Sequence, residues 1–172
     1  LPEPEFECLI KIAALTHSIG MREPSIAIIQ GWLDKLESLE DIHSRISSGL
    51  SLSQTLFLVD FEKFQEVLNQ CVQLINEDQI EIDDEEDFFL EFDETTYAVE
   101  ESCFEMVKFL CNHGNYIQAL DFVLLVEPVS LRQETLQGMG KSMSYTKIRE
   151  LIPFIHSEGD RRSLMSGHAQ AV

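Results

Sequence analysis

The sequence predicts an all-α fold in which antiparallel helical hairpins stack as a short solenoid or pack as an irregular bundle. Apolar residues recur at spacings of three and four along most of the 172 residues, which is the period of a helix face. Short, turn-prone connections separate these stretches, and 44% of the residues are apolar, as in globular proteins. We expect a single helical domain, 1–172, divided into N-terminal helices (1–76), an acidic insertion (77–94), C-terminal helices (95–156) and a flexible tail (157–172).

Three amphipathic helices are predicted before the insertion, and the first ends at Gly20, a residue suited to the left-handed position after a helix. Its apolar face consists of Phe6, Leu9, Ile10 and Ala13. Pro24 lies in the first turn of the second helix, where a missing N–H costs little. The apolar face of this helix continues for about six turns and stops before Ser47, Ser48 and Gly49. Its members are Ile26, Ile29, Leu33, Leu36, Leu39, Ile42 and Ile46.

A third helix is predicted after Ser53, whose hydroxyl is a suitable N-terminal cap. The apolar face of this helix consists of Phe57, Phe61, Phe64, Leu68, Cys71 and Ile75. Because these residues keep the helical spacing as far as the acidic residues, we expect this helix to end where the insertion begins.

The acidic stretch 77–101 holds 13 of the 31 carboxylates and no Lys or Arg, so it carries about two thirds of the formal net charge of −19. Ile80 and Ile82 alternate with polar residues, and 88–92 is rich in aromatic residues, a pattern that permits a short β-hairpin with an acidic tip. The absence of Gly or Asn at the turn and the repulsion between opposed carboxylates favour a loop instead. Two structures therefore remain open. One is a short β-hairpin with an acidic tip, and the other is an acidic loop whose aromatic side chains pack on the helices.

The C-terminal helices begin near Thr95. Asp93 or Thr95 is the expected cap, and the apolar face consists of Val99, Cys103, Met106 and Leu110. The connection 112–115 is short and turn-prone, so the next helix, 116–127, is expected to run antiparallel and to end before Pro128. Two further helices are predicted at 131–141 and 145–155, the second interrupted by Pro153.

The stretch Leu110 to Leu120 resembles the turn and the start of the second helix in a tetratricopeptide repeat. In that family a glycine ends the first helix, an aromatic residue follows, and a small residue lets the paired helices approach closely. Those positions are occupied here by Gly114, Tyr116 and Ala119. The resemblance covers about one repeat, and Pro128 comes earlier than the closing proline of the family. It implies stacked helical hairpins with a groove that binds proteins.

The net charge limits the classes of partner. Unassisted binding to DNA, RNA or an anionic membrane is disfavoured, whereas a basic protein, a cationic ligand and a divalent metal all stay open as partners. We predict a non-catalytic protein-interaction module whose acidic aromatic segment docks a basic partner or covers the module's own groove. The predicted partner-binding residues are Asp83, Asp84, Glu85, Glu86, Asp87, Phe88, Phe89 and Phe92. The alternative is a small all-helical enzyme or ligand-binding protein with a site between helices.

Motifs for catalysis, cofactors and metals do not account for the sequence. Residues 138–142, Gly-Met-Gly-Lys-Ser, resemble the end of a phosphate-binding loop, but Thr135 occupies the position of its first glycine, so a glycine-rich helix end is preferred. Asp83, Glu85 and Asp87 have the alternate spacing of a calcium loop without the glycine that should follow. No HExxH motif occurs. We therefore predict no catalytic, cofactor-binding or metal-binding residue.

Cysteine usage and hydropathy indicate a cytoplasmic protein. The four cysteines form no CxxC pair, which favours reduced, buried thiols; they are Cys8, Cys71, Cys103 and Cys111. The longest apolar run, 122–126, is far shorter than the roughly 20 residues of a membrane-spanning helix. The sequence leaves the oligomeric state open.

Overall fold

The computed structural model describes residues 4–78 and 94–171, and within these ranges the chain is all-α without a β-strand. The helices are α1 (Pro4–Ser18), α2 (Arg22–Glu37), α3 (Ile42–Val59), α4 (Phe61–Asp78), α5 (Glu94–Asn112), α6 (Tyr116–Leu125), α7 (Val129–Lys141), α8 (Tyr145–Leu151) and α9 (Glu158–Ala171), with a 3-10 turn at Ile152–Phe154. The chain divides into two compact units, Leu1–Leu74 and Ile75–Val172. The predicted β-hairpin and the residues 83–92 lie outside the described residues.

The first unit begins with a hairpin of α1 and α2. Gly20 has a φ of +83°, so the predicted left-handed turn after α1 is confirmed. Ala13 faces inward, and its carbonyl accepts a hydrogen bond of 3.0 Å from the buried Ser25 hydroxyl of α2. The remaining inward residues of α2 are Ile29, Trp32 and Leu36. Pro24 lies in the first turn of α2, as predicted.

The prediction of one long second helix was wrong, because the chain breaks between Glu37 and Ile42. The Asp41 carboxylate accepts a 2.6 Å hydrogen bond from the Ser44 N–H and thereby caps a new helix, α3. Hydrogen bonding from the Ser44 side chain, and then from its N–H, lowers the pKa of Asp41. The apolar spacing continues across the break, which is why periodicity alone did not reveal it.

The expected stop at residues 47–49 and the cap at Ser53 were also wrong, since α3 runs through them to Val59. The small residues allow a close approach of α4: a Cβ added to Gly49 would lie 2.5 Å from Cys71 Sγ. Ser53 is buried, and its hydroxyl donates to the Gly49 carbonyl at 2.8 Å. The actual break is at Asp60, whose carboxylate accepts the Lys63 N–H at 3.1 Å and so begins α4.

In the second unit, the hairpin of α5 and α6 turns at Gly114, which has a φ of +75°. The predicted inner face of α5 is confirmed, because Val99, Cys103, Met106 and Leu110 are all fully buried. Ala119 is fully buried on α6. The tetratricopeptide resemblance of residues 110–120 remains a prediction.

Helices α7 and α9 pack with their backbones in close contact. A Cβ added to Gly140 would lie 2.1 Å from the Leu164 carbonyl oxygen, and one added to Gly167 would lie 1.9 Å from the Gln137 carbonyl oxygen. The expected flexible tail, 157–172, is therefore replaced by a packed helix, with Leu164 fully buried. The sequence Gly-Met-Gly-Lys-Ser forms the end of α7 and its C-cap, as the helix-end interpretation predicted.

The elements between α7 and α9 also differ slightly from expectation. Helix α8 ends at Leu151, and the chain continues as a 3-10 turn that contains Pro153. Within the residues described, none of the helices combines the length and the apolar content that crossing a membrane requires.

Candidate functional site: an acidic cleft between α5 and α7

The outer side of α5 forms one wall of a cleft. Tyr97, Glu100, Glu101, Phe104 and Glu105 follow the helical spacing of three and four, on the side turned away from the buried stripe of this helix. Tyr97 is 55% exposed, whereas Phe104 is half-buried. Carboxylates and aromatic rings therefore alternate along a single helix face.

Helix α7 forms the second wall, and a glycine sets its distance from α5. Glu134, Gln137 and Lys141 line the cleft at the same helical spacing. Gly138 lies against the ring of Phe104: an added Cβ would be 2.1 Å from Phe104 Cδ2. Only a residue without a side chain lets the ring lie this close to the α7 backbone. The resulting cleft has a volume of about 290 Å³.

The cleft is electronegative. Four carboxylates line it, from Glu100, Glu101, Glu105 and Glu134, against one cationic side chain, Lys141. Burial raises the pKa of Glu100, and repulsion from the Glu134 carboxylate raises it further. Two like charges from different helices are thus held near each other, an arrangement that a bound cation would relieve.

One cation of the protein already uses this surface. Lys108, one turn beyond Glu105 on α5, forms an ion pair with that carboxylate at 3.0 Å. Its ammonium nitrogen lies 5.9 Å from the centroid of the Phe104 ring. Ammonium near an aromatic face and a carboxylate is the chemistry that recognises lysine and arginine side chains.

A second cleft, of about 250 Å³, lies within the first unit. Its walls are mostly apolar and come from α2 and α4, with Arg45 of α3 at the edge. Cys71 lines it, but burial raises the pKa of this thiol to about 12, so the nucleophilic thiolate is not formed at neutral pH. The pKa of Cys111 is likewise raised by burial, to about 11.

None of the predicted partner-binding residues is among those that line the observed cleft, and their role stays a prediction. Residues 83–92 lie outside the described residues, whereas Glu100 and Glu101, which end the acidic stretch, line the cleft. Sequence reasoning missed Tyr97, Phe104 and Glu134, although their spacing on α5 and α7 was visible. Across the two described ranges, no group of three or more His, Cys, Asp or Glu side chains is placed to hold a metal ion.

Comparisons with protein-family models, with curated proteins and with solved structures find no match to this chain.

Proposed function

We propose that this protein is a non-catalytic protein-interaction module that docks a basic partner in the acidic cleft between α5 and α7. The observation that carries this proposal is the charge of the cleft, with four carboxylates and one lysine around two aromatic rings. An arginine or lysine side chain that enters would place its charge among the carboxylates and its stem against Tyr97 and Phe104. The partner's charge would also relieve the repulsion between Glu100 and Glu134.

The rest of the acidic stretch strengthens this proposal through its charge. Residues 77–101 carry 13 carboxylates, and a field of one sign speeds the encounter with an oppositely charged protein. The proposal keeps both sequence-based roles for residues 83–92, namely docking a basic partner or covering the module's own groove. It also keeps the stacked helical hairpins that the tetratricopeptide resemblance of residues 110–120 implies, since that family binds proteins in a groove.

The direct test measures binding of a short synthetic peptide of alternating arginine, lysine and glycine. In the variant Glu100→Gln/Glu134→Gln we expect the dissociation constant to rise about tenfold or more, because both substitutions remove carboxylates from the cleft. Glu23→Gln/Glu62→Gln is the matched control, since it makes the same change in net charge at exposed positions of the first unit. Equal weakening in both variants would show that the peptide senses only total charge, which contradicts the proposal.

A deletion separates the cleft from the acidic segment. Removing residues 79–93 should leave the helical circular dichroism intact. If the cleft makes the contact, this deletion should weaken binding of the basic peptide less than Glu100→Gln/Glu134→Gln does. The opposite order would assign docking to the segment.

The alternative, a small ligand-binding protein or enzyme with a site between helices, predicts a different ligand size. A free dication such as a diamine should then bind the cleft as tightly as the peptide does. A peptide preference of about tenfold or more would argue for a protein partner.

A further inference from the structure

Helices α5 and α7 run in the same direction along the acidic cleft. Glu100 and Glu134 lie near each other across it, since burial and then the charge of Glu134 raise the pKa of Glu100. One turn further along each helix, the ring of Phe104 lies against Gly138. Both steps follow the chain direction, so the two helices are parallel here. Lys141, the last residue of α7, therefore lies at the opposite end of the cleft from the two carboxylates.

The two ends of the cleft carry opposite charges. Glu100, Glu101 and Glu134 lie at one end, and none of their carboxylates forms an ion pair with a described residue. At the other end, Lys141 lies two helical turns beyond Glu134, which is a rise of about 11 Å along α7. Its exposed ammonium group has neither an ion-pair nor a hydrogen-bond partner among the described residues.

Other groups already fill the two ordinary roles of a lysine at this position. Three carbonyl groups in the last turn of α7 accept hydrogen bonds from Ser142 or Met143. The carboxylate of α5 that lies closest to this end of the cleft, that of Glu105, is paired with Lys108 at 3.0 Å. The ammonium group of Lys141 is therefore available to an anionic group from outside the chain.

We propose that Lys141 is a specificity-determining residue of the cleft, and that it binds a carboxylate of the partner while the partner's basic side chain lies among the carboxylates at the other end. The partner is then a segment with a basic residue and an acidic residue about 11 Å apart, instead of an uninterrupted basic run. In an extended segment, which rises about 3.3 Å per residue, the two lie about three positions apart. The contact at Lys141 rests on the proposed function, because the same cleft holds both charges.

A cleft that merely attracts cations would behave differently. There, Lys141 would repel every basic partner, and its removal would strengthen the binding of all of them. If Lys141 instead contacts a carboxylate, its removal should weaken binding of a partner that carries this carboxylate and strengthen binding of one that lacks it. The two possibilities therefore predict opposite signs for the same variant and the same peptide.

The test measures binding of two synthetic peptides to the full chain by titration. Each has blocked ends, two basic residues, two glycines and a last residue, which is glutamate in the mixed peptide and glutamine in its counterpart. Lys141→Met should weaken the mixed peptide about fivefold or more and should strengthen the counterpart. Lys63→Met is the matched control, since it makes the same change in net charge at an exposed lysine of the first unit, and it should alter neither affinity. Circular dichroism should be the same for both variants, because both side chains are exposed.

Unchanged or stronger binding of the mixed peptide in Lys141→Met would overturn this inference. The proposed function would still stand in that case if Glu100→Gln/Glu134→Gln weakened both peptides. If neither peptide bound the wild type, the proposed function and this inference would both fail. A third peptide, in which the glutamate directly follows the basic residues, tests the distance: its binding should depend much less on Lys141, and an equal dependence would contradict the two-turn separation.

Discussion

Arg132 of α7 and Asp160 of α9 form an ion pair of 3.1 Å, with side chains only 17% and 5% exposed. Arg132 also donates to the carbonyl oxygens of Val126 and Glu127, at 2.8 and 2.9 Å, just after α6 ends. One side chain thus joins the end of α6, helix α7 and the start of α9. Asp160 Oδ1 is buried and accepts no hydrogen bond from the described residues, so the carboxylate depends on Arg132.

We expect Asp160→Ala to lower the free energy of unfolding by about 3 kcal/mol, because it leaves the Arg132 charge buried without its partner. The double variant Arg132→Met/Asp160→Leu should cost less than this single change, since it leaves neither charge buried. Urea unfolding measures both values. Lys63→Ala, which breaks an exposed ion pair with Glu66, is the control and should have an effect close to the error of measurement. A double variant less stable than Asp160→Ala would contradict this account.

Gly140→Ala and Gly167→Ala should each destabilise the protein by about 2 kcal/mol or more, because the added methyl group meets a backbone carbonyl that cannot turn away. Gly31→Ala is the matched control: this glycine is exposed within α2, and no atom lies within 4 Å of an added Cβ. That variant should be more stable than the wild type by about 0.5–1 kcal/mol. Thermal unfolding that ranks the three variants alike would refute close backbone packing of α7 and α9.

Gly138→Ala should act on the cleft more than on stability. The added methyl group meets the ring of Phe104, a half-buried side chain that can rotate outward, so we expect a loss of about 1 kcal/mol. Because the ring is displaced, the affinity for the basic peptide should fall several-fold. Phe104→Leu/Gly138→Ala should restore much of the stability, because the smaller side chain leaves room for the methyl group. Unchanged peptide binding in Gly138→Ala would show that Phe104 is not part of the site.

The pKa of Glu100 predicts how stability and binding depend on pH. The folded state raises this pKa above the ordinary value. At a pH above the folded-state pKa, the ionised carboxylate therefore destabilises the fold. This loss of stability disappears once the pH falls below the unfolded-state pKa, because the carboxyl is then protonated in both states. The wild type should therefore gain stability relative to Glu100→Gln between about pH 7 and about pH 4. Melting temperatures of the two proteins measure this difference, and a constant difference would contradict the raised pKa.

Binding of the basic peptide should show the reverse trend. A cation favours the ionised carboxylate, so affinity should fall on acidification through the folded-state pKa of Glu100. Proton release on binding is expected near and just below that pKa, where the free carboxyl still carries a proton. Calorimetry in buffers of different ionisation enthalpy detects that proton. Glu100→Gln should bind with a weaker pH dependence, and an unchanged pH profile would exclude Glu100 from the contact.

The sequence predicted the features that depend on local chemistry. The helical class, the buried stripe from Val99 to Leu110, the left-handed Gly20 and the turn at 112–115 all follow from spacing or from backbone freedom. It failed where a side-chain cap begins a new helix although the apolar helical spacing continues across the break, as at Asp41. It also failed where small residues serve packing: Gly49 and Gly167 resemble loop signals but lie in close helix contacts.

The cleft could be predicted less well than the helices. The spacing of Tyr97, Glu100 and Phe104 was present in the sequence, but an outer helix face becomes a cleft only when a second helix lies beside it. The role of Gly138 as the contact for Phe104 depends on which faces of α5 and α7 meet. That is a tertiary relationship with no local signal.

The buried thiols described above give each unit its own internal reporter of opening. Cys71 in the first unit and Cys111 in the second have pKa values raised to about 12 and about 11, so in the folded state they are protonated as well as shielded. A thiol reagent can modify either one only after the chain around it opens and the pKa returns to its ordinary value. Pulsed alkylation, followed by mass spectrometry of the peptides, would therefore measure the opening rate of each unit separately. The exposed Cys8 gives the alkylation rate of an unprotected thiol for comparison.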